Sequence, residues 1–282
     1  MHKKRKYILY TIIILLLPCI FVYCFWDKNF NDNELKFLQT YGTIDYEKNI
    51  PLTLSVAFIS NNKDILDMEN INVKLNDDNI HIDKVDLRKC DSTMKYTLWC
   101  LYLDCIISTD KESIDITEVI LNNVSYPIGC LTLNDIAPFD WSHEHLDLRQ
   151  HTGATFGKGL EKAMYHAFFR NVTDETVYVT NFYAPQYTKA IPYYSINSNE
   201  KNVGFFNKIE VESQDILEVG FDLNDCVVNG VDVYYISPIL QYEFNQEKRM
   251  IALPYYTSGM NLSKTEINEI GDRLFKGKVF NG

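Results

Sequence analysis

The chain is short of basic residues: 27 lysines and arginines stand against 38 aspartates and glutamates, a formal net charge of −11. Residues 1–26 hold four basic and no acidic side chains, so the rest carries 23 positive against 38 negative groups. A body of that sign repels phosphate backbones and anionic lipid surfaces, which excludes nucleic acid as a partner. No Cys-x-x-Cys occurs among the seven cysteines, removing zinc ribbons and thioredoxin-type redox sites. Gly-x-Ser-x-Gly and His-Glu-x-x-His are absent too, so neither a nucleophile elbow nor a zinc-protease helix is encoded. Gly153-Ala-Thr-Phe-Gly157-Lys158-Gly159 comes nearest to a phosphate loop. Only three residues separate its first two glycines, however, and Gly159 stands where Ser or Thr must follow Lys. The acidic turns at Asp64/Asp67/Glu69 and Asp77/Asp78 lack the Asp-x-Asp-x-Asp-Gly ladder of a calcium loop. No cofactor is implied, and a non-catalytic role is the expectation.

Charge is missing altogether from Tyr7 to Trp26, a 20-residue run about 30 Å long as a helix and sufficient to cross a bilayer. His2-Lys-Lys-Arg-Lys6 precedes it, whereas Asp27, Asp32 and Glu34 follow. The positive-inside rule therefore sets residues 1–6 in the cytoplasm and everything after Trp26 outside the cell membrane, in a single pass. Bulky Phe21, Tyr23, Phe25 and Trp26 occupy the positions where a signal peptidase needs small residues, so the run reads as an uncleaved anchor. Cys19 follows Pro18 and Cys24 follows Tyr23, which does not fit a lipid-modified cysteine.

Beyond the anchor, and after a stretch of helical character at 33–41, the pattern turns to period two. Leu52, Leu54, Val56 and Phe58 alternate with smaller or polar residues, as a half-buried strand requires. Further pieces at 71–75, 80–82, 98–107, 114–116 and 126–128 are separated by Asn/Asp turn clusters. A second series occupies 163–169, 177–182, 209–211, 217–223, 231–236, 239–244 and 250–253. Such spacing predicts a mostly β chain with two antiparallel, immunoglobulin-like β-sandwich domains. Val56–Asp64 and His166–Asp174 share Ala, Phe, Asn and Asp at an offset of 110 residues, and Ile116–Val119 resembles Ile236–Ile239 at 120, which suggests a tandem repeat. The expected division is a tail at 1–6, an anchor at 7–26, a linker at 27–42, domains at 43–137 and 161–260 joined by a connection at 138–160, and a terminal helix within 261–282. That helix begins at the capping box Ser263-Lys-Thr-Glu266, carries Ile267, Ile270 and Leu274 on one stripe, and stops at Gly277. Its stripe is expected to pack on the second domain.

Four cysteines of the first domain, Cys90, Cys100, Cys105 and Cys130, are disulfide candidates in an oxidising compartment. The favoured pairing is Cys90 with Cys100 and Cys105 with Cys130, with buried free thiols as the other reading. Cys226 has no partner in its own domain. Asn123, Asn171 and Asn261 stand in glycosylation sequons.

Two clusters could carry chemistry. His143 and His145 project to one side of an extended backbone, as two imidazole ligands must, and His151 could supply a third; a metal-binding or enzymatic surface protein is the alternative this cluster supports. The other is Asn181–Tyr194, where Pro185 and Pro192 stiffen a stretch containing Tyr183, Tyr187, Tyr193 and Tyr194. Tyrosines on a stiff segment offer amphipathic contact area at small entropic cost. They point to a binding or assembly module whose partner is an extracytoplasmic protein or glycan, tethered to the membrane through residues 7–26.

Overall fold

The computed structural model describes residues 35–61, 71–135, 144–154, 164–199, 201–204 and 206–277. The expected anchor at 7–26 and His143 lie outside these residues. Among the described residues no helix is long and apolar enough to cross a membrane.

The chain is mostly β. The strands of its first half are β1 (Leu35–Phe37), β2 (Thr40–Tyr46), β3 (Leu52–Ser60), β4 (Val73–Leu75), β5 (Ile80–Ser92), β6 (Thr97–Ile107), β7 (Ser113–Leu121) and β8 (Val124–Asp135). Then come β9 (Leu146–Ala154), β10 (Met164–Asn171), β11 (Val177–Tyr183), β12 (Ile191–Ile196), β13 (Asn202–Val203) and β14 (Ile209–Val211). The last strands are β15 (Ile216–Asp222), β16 (Val233–Ile236), β17 (Ile239–Phe244), β18 (Glu247–Ala252) and β19 (Tyr256–Ser258), and helix α1 (Lys264–Lys276) follows.

Four sheets result, ordered β1-β3-β6-β5, β19-β16-β2-β8-β7-β4, β13-β12-β15-β10-β9 and β14-β11-β17-β18. Among the described residues all pairings are antiparallel except two: β2 runs parallel to β8 on one side and to β16 on the other. One apolar core draws on residues 35–133 together with Val233, Tyr235, Leu262, Ile267 and Ile270; a second draws on residues 146–253. The side-chain alternation of β16 divides it between them, with Tyr235 in the first core and Tyr234 in the second.

Several elements differ from the sequence pattern for identifiable reasons. Of residues 33–41, expected to have helical character within a linker, those from Leu35 onward hold β1 and the start of β2. Leu35, Phe37 and Leu38 are buried there, and pairing with β3, β8 and β16 overrides local propensity. The expected connection at 138–160 contains β9, held along β10 although only Leu146 and Leu148 betray it against Asp147, Arg149, Gln150 and His151. Ile116–Val119 lies within β7, whereas Ile236–Ile239 leaves β16 through Ser237-Pro238 and enters β17 in another sheet, so these two segments are not structural counterparts. The hairpin β7–β8 turns at Asn122-Asn123, both left-handed, as a two-residue turn compatible with strand twist demands.

Helix α1 has the boundaries its capping residues dictate. Ser263 Oγ accepts from the Glu266 N–H, the Glu266 carboxylate accepts from the Ser263 N–H, and Gly277 closes the helix in the left-handed conformation. Its stripe packs on the first core, not the second: Ile267 and Ile270 are buried there. Phe275 stacks on Tyr96 at 5.5 Å, and the Tyr96 hydroxyl donates to Asp272.

Asp45 sits in β2 at the meeting of the two halves, where its N–H donates to Ser237 Oγ and its carboxylate accepts from Asn134 Nδ2. It is 8% exposed, and Oδ2 meets no donor. Burial raises its pKa to about 6, offset in part by the Asn134 bond. Because the folded pKa lies above the unfolded one, the native state holds the extra proton between about pH 4 and pH 6. The contribution of Asp45 to stability is therefore greatest below that window and declines by about 3 kcal/mol as pH rises through it. Asp45→Asn is expected to remove this decline and to raise stability at pH 7.5, read as urea midpoints at pH 4.5 and 7.5. A variant with the wild-type pH slope would refute the assignment.

Candidate functional site

The tyrosine-rich segment 181–194 does not form one loop surface. After β11 the chain makes two successive turns, with Tyr187 N–H donating to Ala184 O and Ala190 N–H to Tyr187 O, and then enters β12. Tyr187 is turned inward and is 3% exposed. Its hydroxyl lies 2.7 Å from Tyr235 O on β16 and 3.3 Å from Tyr41 O on β2, fastening the parallel pair. Desolvation drives its pKa well above the usual tyrosine value, so it remains a neutral donor. Tyr183, half-buried, accepts from Gln241 Nε2 at 3.3 Å. Tyr194 packs against Phe206 at 5.3 Å beside the second core. These three side chains serve the fold.

Tyr193 is different. In β12 the residues alternate, so Ile191, Tyr193 and Ser195 share the face opposite to Pro192, Tyr194 and Ile196. Tyr193 is directly opposite Gly220 of β15, and Gly220 is opposite His166 of β10. A Cβ at Gly220 would lie 2.3 Å from the phenol end of Tyr193, so only glycine lets this ring lie down across the sheet. Lys201 Nζ is 4.3 Å from the ring centroid, a cation–π contact, and 3.4 Å from the Glu218 carboxylate. Ser195 Oγ lies 3.2 Å from the same carboxylate, and His166 Nδ1 lies 3.7 Å from it. Desolvation, with the Glu218 charge adding to it, pushes the Tyr193 phenol up to about 12, so the ring is uncharged at neutral pH. Around this centre stand exposed aliphatic side chains: Val203 is 73% exposed, Ile191 46% and Met164 45%. The outer face of the β13-β12-β15-β10-β9 sheet thus mixes these apolar side chains with polar ones: Ser195, Glu218, Asp222, His166 and Gln150 occupy the same face as Tyr193. Sequence reading found Tyr193 but missed Gly220, Lys201, Val203 and Met164, because they reach the site from other strands.

Of the histidine cluster, the two described members, His145 and His151, do not come together. His145 packs on Phe244 at 4.1 Å, and its Nδ1 lies 3.2 Å from the Tyr242 hydroxyl. His151 is exposed six extended residues further on, roughly 20 Å along β9. Imidazoles sharing one ion must both reach within about 2 Å of it, so His145 and His151 are not joint ligands. No group of three or more His, Cys, Asp or Glu side chains able to hold a metal occurs among the described residues.

All five cysteines of the described residues are free thiols. Cys105 points into the first core from β6, whereas Cys130 alternates with the buried Leu131 and Leu133 on β8 and so faces outward, near Asp115. Opposite facing prevents the expected Cys105–Cys130 bridge. The expected Cys90–Cys100 bridge is not formed either: both are free thiols, placed side by side on the paired strands β5 and β6. Asn171, the middle sequon, is fully buried; its Nδ2 donates to Glu175 O and Val211 O at 2.8 Å each, so the folded chain leaves no room for a glycan there.

No family model matches the chain, and no curated protein matches it. Among solved structures, the secreted serine protease VesC from Vibrio cholerae aligns at 10% identity with a TM-score of 0.23, over 79% of this chain and 53% of the protease. The chain thus spans about half the length of that protein. A protein of unknown function from Porphyromonas gingivalis W83 aligns at 11% identity and a TM-score of 0.21, over 78% and 96% of the two chains. The neural ectodermal development factor IMP-L2 aligns at 8% and 0.20, over 78% and 92%. These scores fall below 0.5 and carry no argument about fold or activity.

Proposed function

We propose that the chain is a non-catalytic binding or assembly protein, tethered to the cell membrane by residues 7–26 and exposing its β body, two immunoglobulin-like sandwiches, outside the cell. The observation that carries the binding role is the outer sheet face on which Tyr193 lies over Gly220, with exposed Val203 opposite it, exposed Ile191 two residues before it, and exposed Met164 two strands away. A solvated sheet face ordinarily presents polar side chains, and apolar ones clustered at an aromatic centre mark a contact surface. Aliphatic neighbours favour a protein partner over a glycan, since they give sugar hydroxyls nothing to bond. Lys201 and Glu218 supply a polar pair beside the apolar patch, as interface rims do. The extracytoplasmic topology rests on the basic tail and uncharged run of the sequence.

The test is recovery of partners by the full chain expressed in its own cells. Tyr193→Ala and Val203→Asp are each expected to lower recovery of a crosslinked protein partner about tenfold with thermal unfolding little changed. Equal recovery by wild type and both variants would remove the surface from consideration, and loss of a captured glycan in place of a protein would change the partner class. Protease added to intact cells is expected to digest the β body; digestion seen only after lysis would refute the topology.

A further inference from the structure

We propose that Cys90 and Cys100 form a thiol–disulfide exchange site, in which exposed Cys90 is the attacking thiol and buried Cys100 the resolving one. Strands β5 and β6 pair with Arg88 opposite Cys100, Lys89 opposite Trp99 and Asp91 opposite Leu98, which makes Cys90 the extra residue of a bulge. Bulges re-aim a side chain. Here the bulge sets the Cys90 sulfur beside Cys100, whose pairing partner across the strands is Arg88, and the Cys90 thiol donates to Arg88 O at 3.7 Å. Cys90 is open to solvent, whereas Cys100 is 2% exposed. Arg88, whose guanidinium lies 4.8 Å from the Tyr102 ring centroid, adds positive charge beside the pair.

These contacts divide the two thiols by role. Donation from Cys100, with the Arg88 charge assisting, holds Cys90 below the usual thiol range. Cys100, donating to Cys90 and desolvated, is pushed upward. A thiol that is exposed and favours the thiolate attacks first; a buried thiol touching it resolves. The other candidates lack one part or both: burial lifts the Cys105 thiol to about 12, and the pKa of outward-facing Cys130 is also raised by desolvation.

The oxidant is a low-molecular-weight disulfide, with oxidised glutathione as the probe. Cys90 thiolate attacks one sulfur of glutathione disulfide, the S–S bond breaks, and one glutathione departs as thiolate while the other stays joined to Cys90. Cys100 gives its proton to the departed thiolate and attacks the Cys90 sulfur, releasing the second glutathione. Two protein thiols become one disulfide, and one glutathione disulfide becomes two thiols. The site lies in the β1-β3-β6-β5 sheet and does not depend on the binding surface at Tyr193.

The full chain is incubated with oxidised glutathione, alkylated, digested without reduction and analysed by mass spectrometry. The expected result is loss of two free thiols and recovery of a single Cys90–Cys100 peptide pair, reversed by dithiothreitol. Cys100→Ser is expected to stop at the mixed disulfide on Cys90, and Cys90→Ser to leave Cys100 unmodified. Wild-type protein in which Cys90 retains glutathione without cross-linking, both thiols stay free, or Cys90 pairs with a different cysteine would overturn the proposal. That readout uses wild-type protein, so it holds even where a Cys100 variant folds badly.

Discussion

Gly42→Ala is expected to cost roughly 4 kcal/mol or more, enough to leave much of the chain unfolded at 37 °C. Gly42 sits in β2 at φ +143°, beyond the regions that residues with a Cβ ordinarily occupy. The larger obstacle is steric: a Cβ there would stand 2.0 Å from Tyr235 O and 2.7 Å from Tyr235 N, both backbone atoms of β16. No rotamer change can relieve that overlap, so β16 must move off β2. Moving it also displaces the carbonyl to which the buried Tyr187 hydroxyl donates, and it separates strands that serve both cores. Gly230→Ala is the matched control, since φ is +83° but no atom lies within 4 Å of the added Cβ. It is expected to lose only about 1 kcal/mol. Urea unfolding of the purified chain separates the two; similar midpoints would mean that the close approach of β2 and β16 is not what requires glycine at position 42.

Arg273→Ala is expected to be nearly as damaging, at about 3 kcal/mol, and for an electrostatic reason. Asp232 is 2% exposed, and its carboxylate accepts twice from Arg273 Nη2, at 2.5 and 2.6 Å, while also accepting from the Gln39 N–H at 3.1 Å. Asp232 and Val233 return their own N–H groups to Gln39 O at 2.8 and 3.0 Å. The assembly joins α1, the approach to β16 and the segment before β2. Truncating Arg273 leaves a buried carboxylate with its countercharge gone. Truncating Asp232 instead frees an arginine whose side chain is already 34% exposed and can hydrate, so Asp232→Ala is expected to lose only about 2 kcal/mol. The double variant should match Asp232→Ala and thus be more stable than Arg273→Ala alone. If its loss equals the sum of the two single losses, the pair is not coupled, and the buried-charge account is wrong.

Strand-forming sequence was legible where apolar residues recur with period two along one segment. Leu52–Phe58 announces β3 in this way, although the folded strand is buried on both faces from Leu54 to Ser60 and not half-buried as expected, and Ser263, Glu266 and Gly277 announce α1 because capping is local chemistry. Tyr193 could be nominated for the same reason, as part of a stiffened aromatic stretch. What it lies on could not: Gly220 is 27 residues away and Lys201 reaches over from beyond the next turn. Tyr187 belongs to the same stretch and has the same residue type, yet serves the opposite purpose, because its partners are carbonyls at positions 41 and 235. Cys90 and Cys100 could be nominated as partners from the cysteine spacing, but the bulge that sets them side by side could not.

By itself, then, the sequence determined a mostly β chain, an acidic body behind a basic tail and uncharged run, the bounds of the terminal helix, and the lack of familiar catalytic signatures. All of these depend on residues near one another along the chain. Tertiary structure decided which strands of the second half return to the first, onto which core the helix folds, which tyrosine faces outward and which thiols meet. Those outcomes depend on pairing across up to about 190 residues, as between β2 and β16. Backbone hydrogen bonds close such pairs with nearly any sequence, so the choice among partners rests on side-chain packing and on glycines, Gly42 and Gly129 among them, where strands must nearly touch.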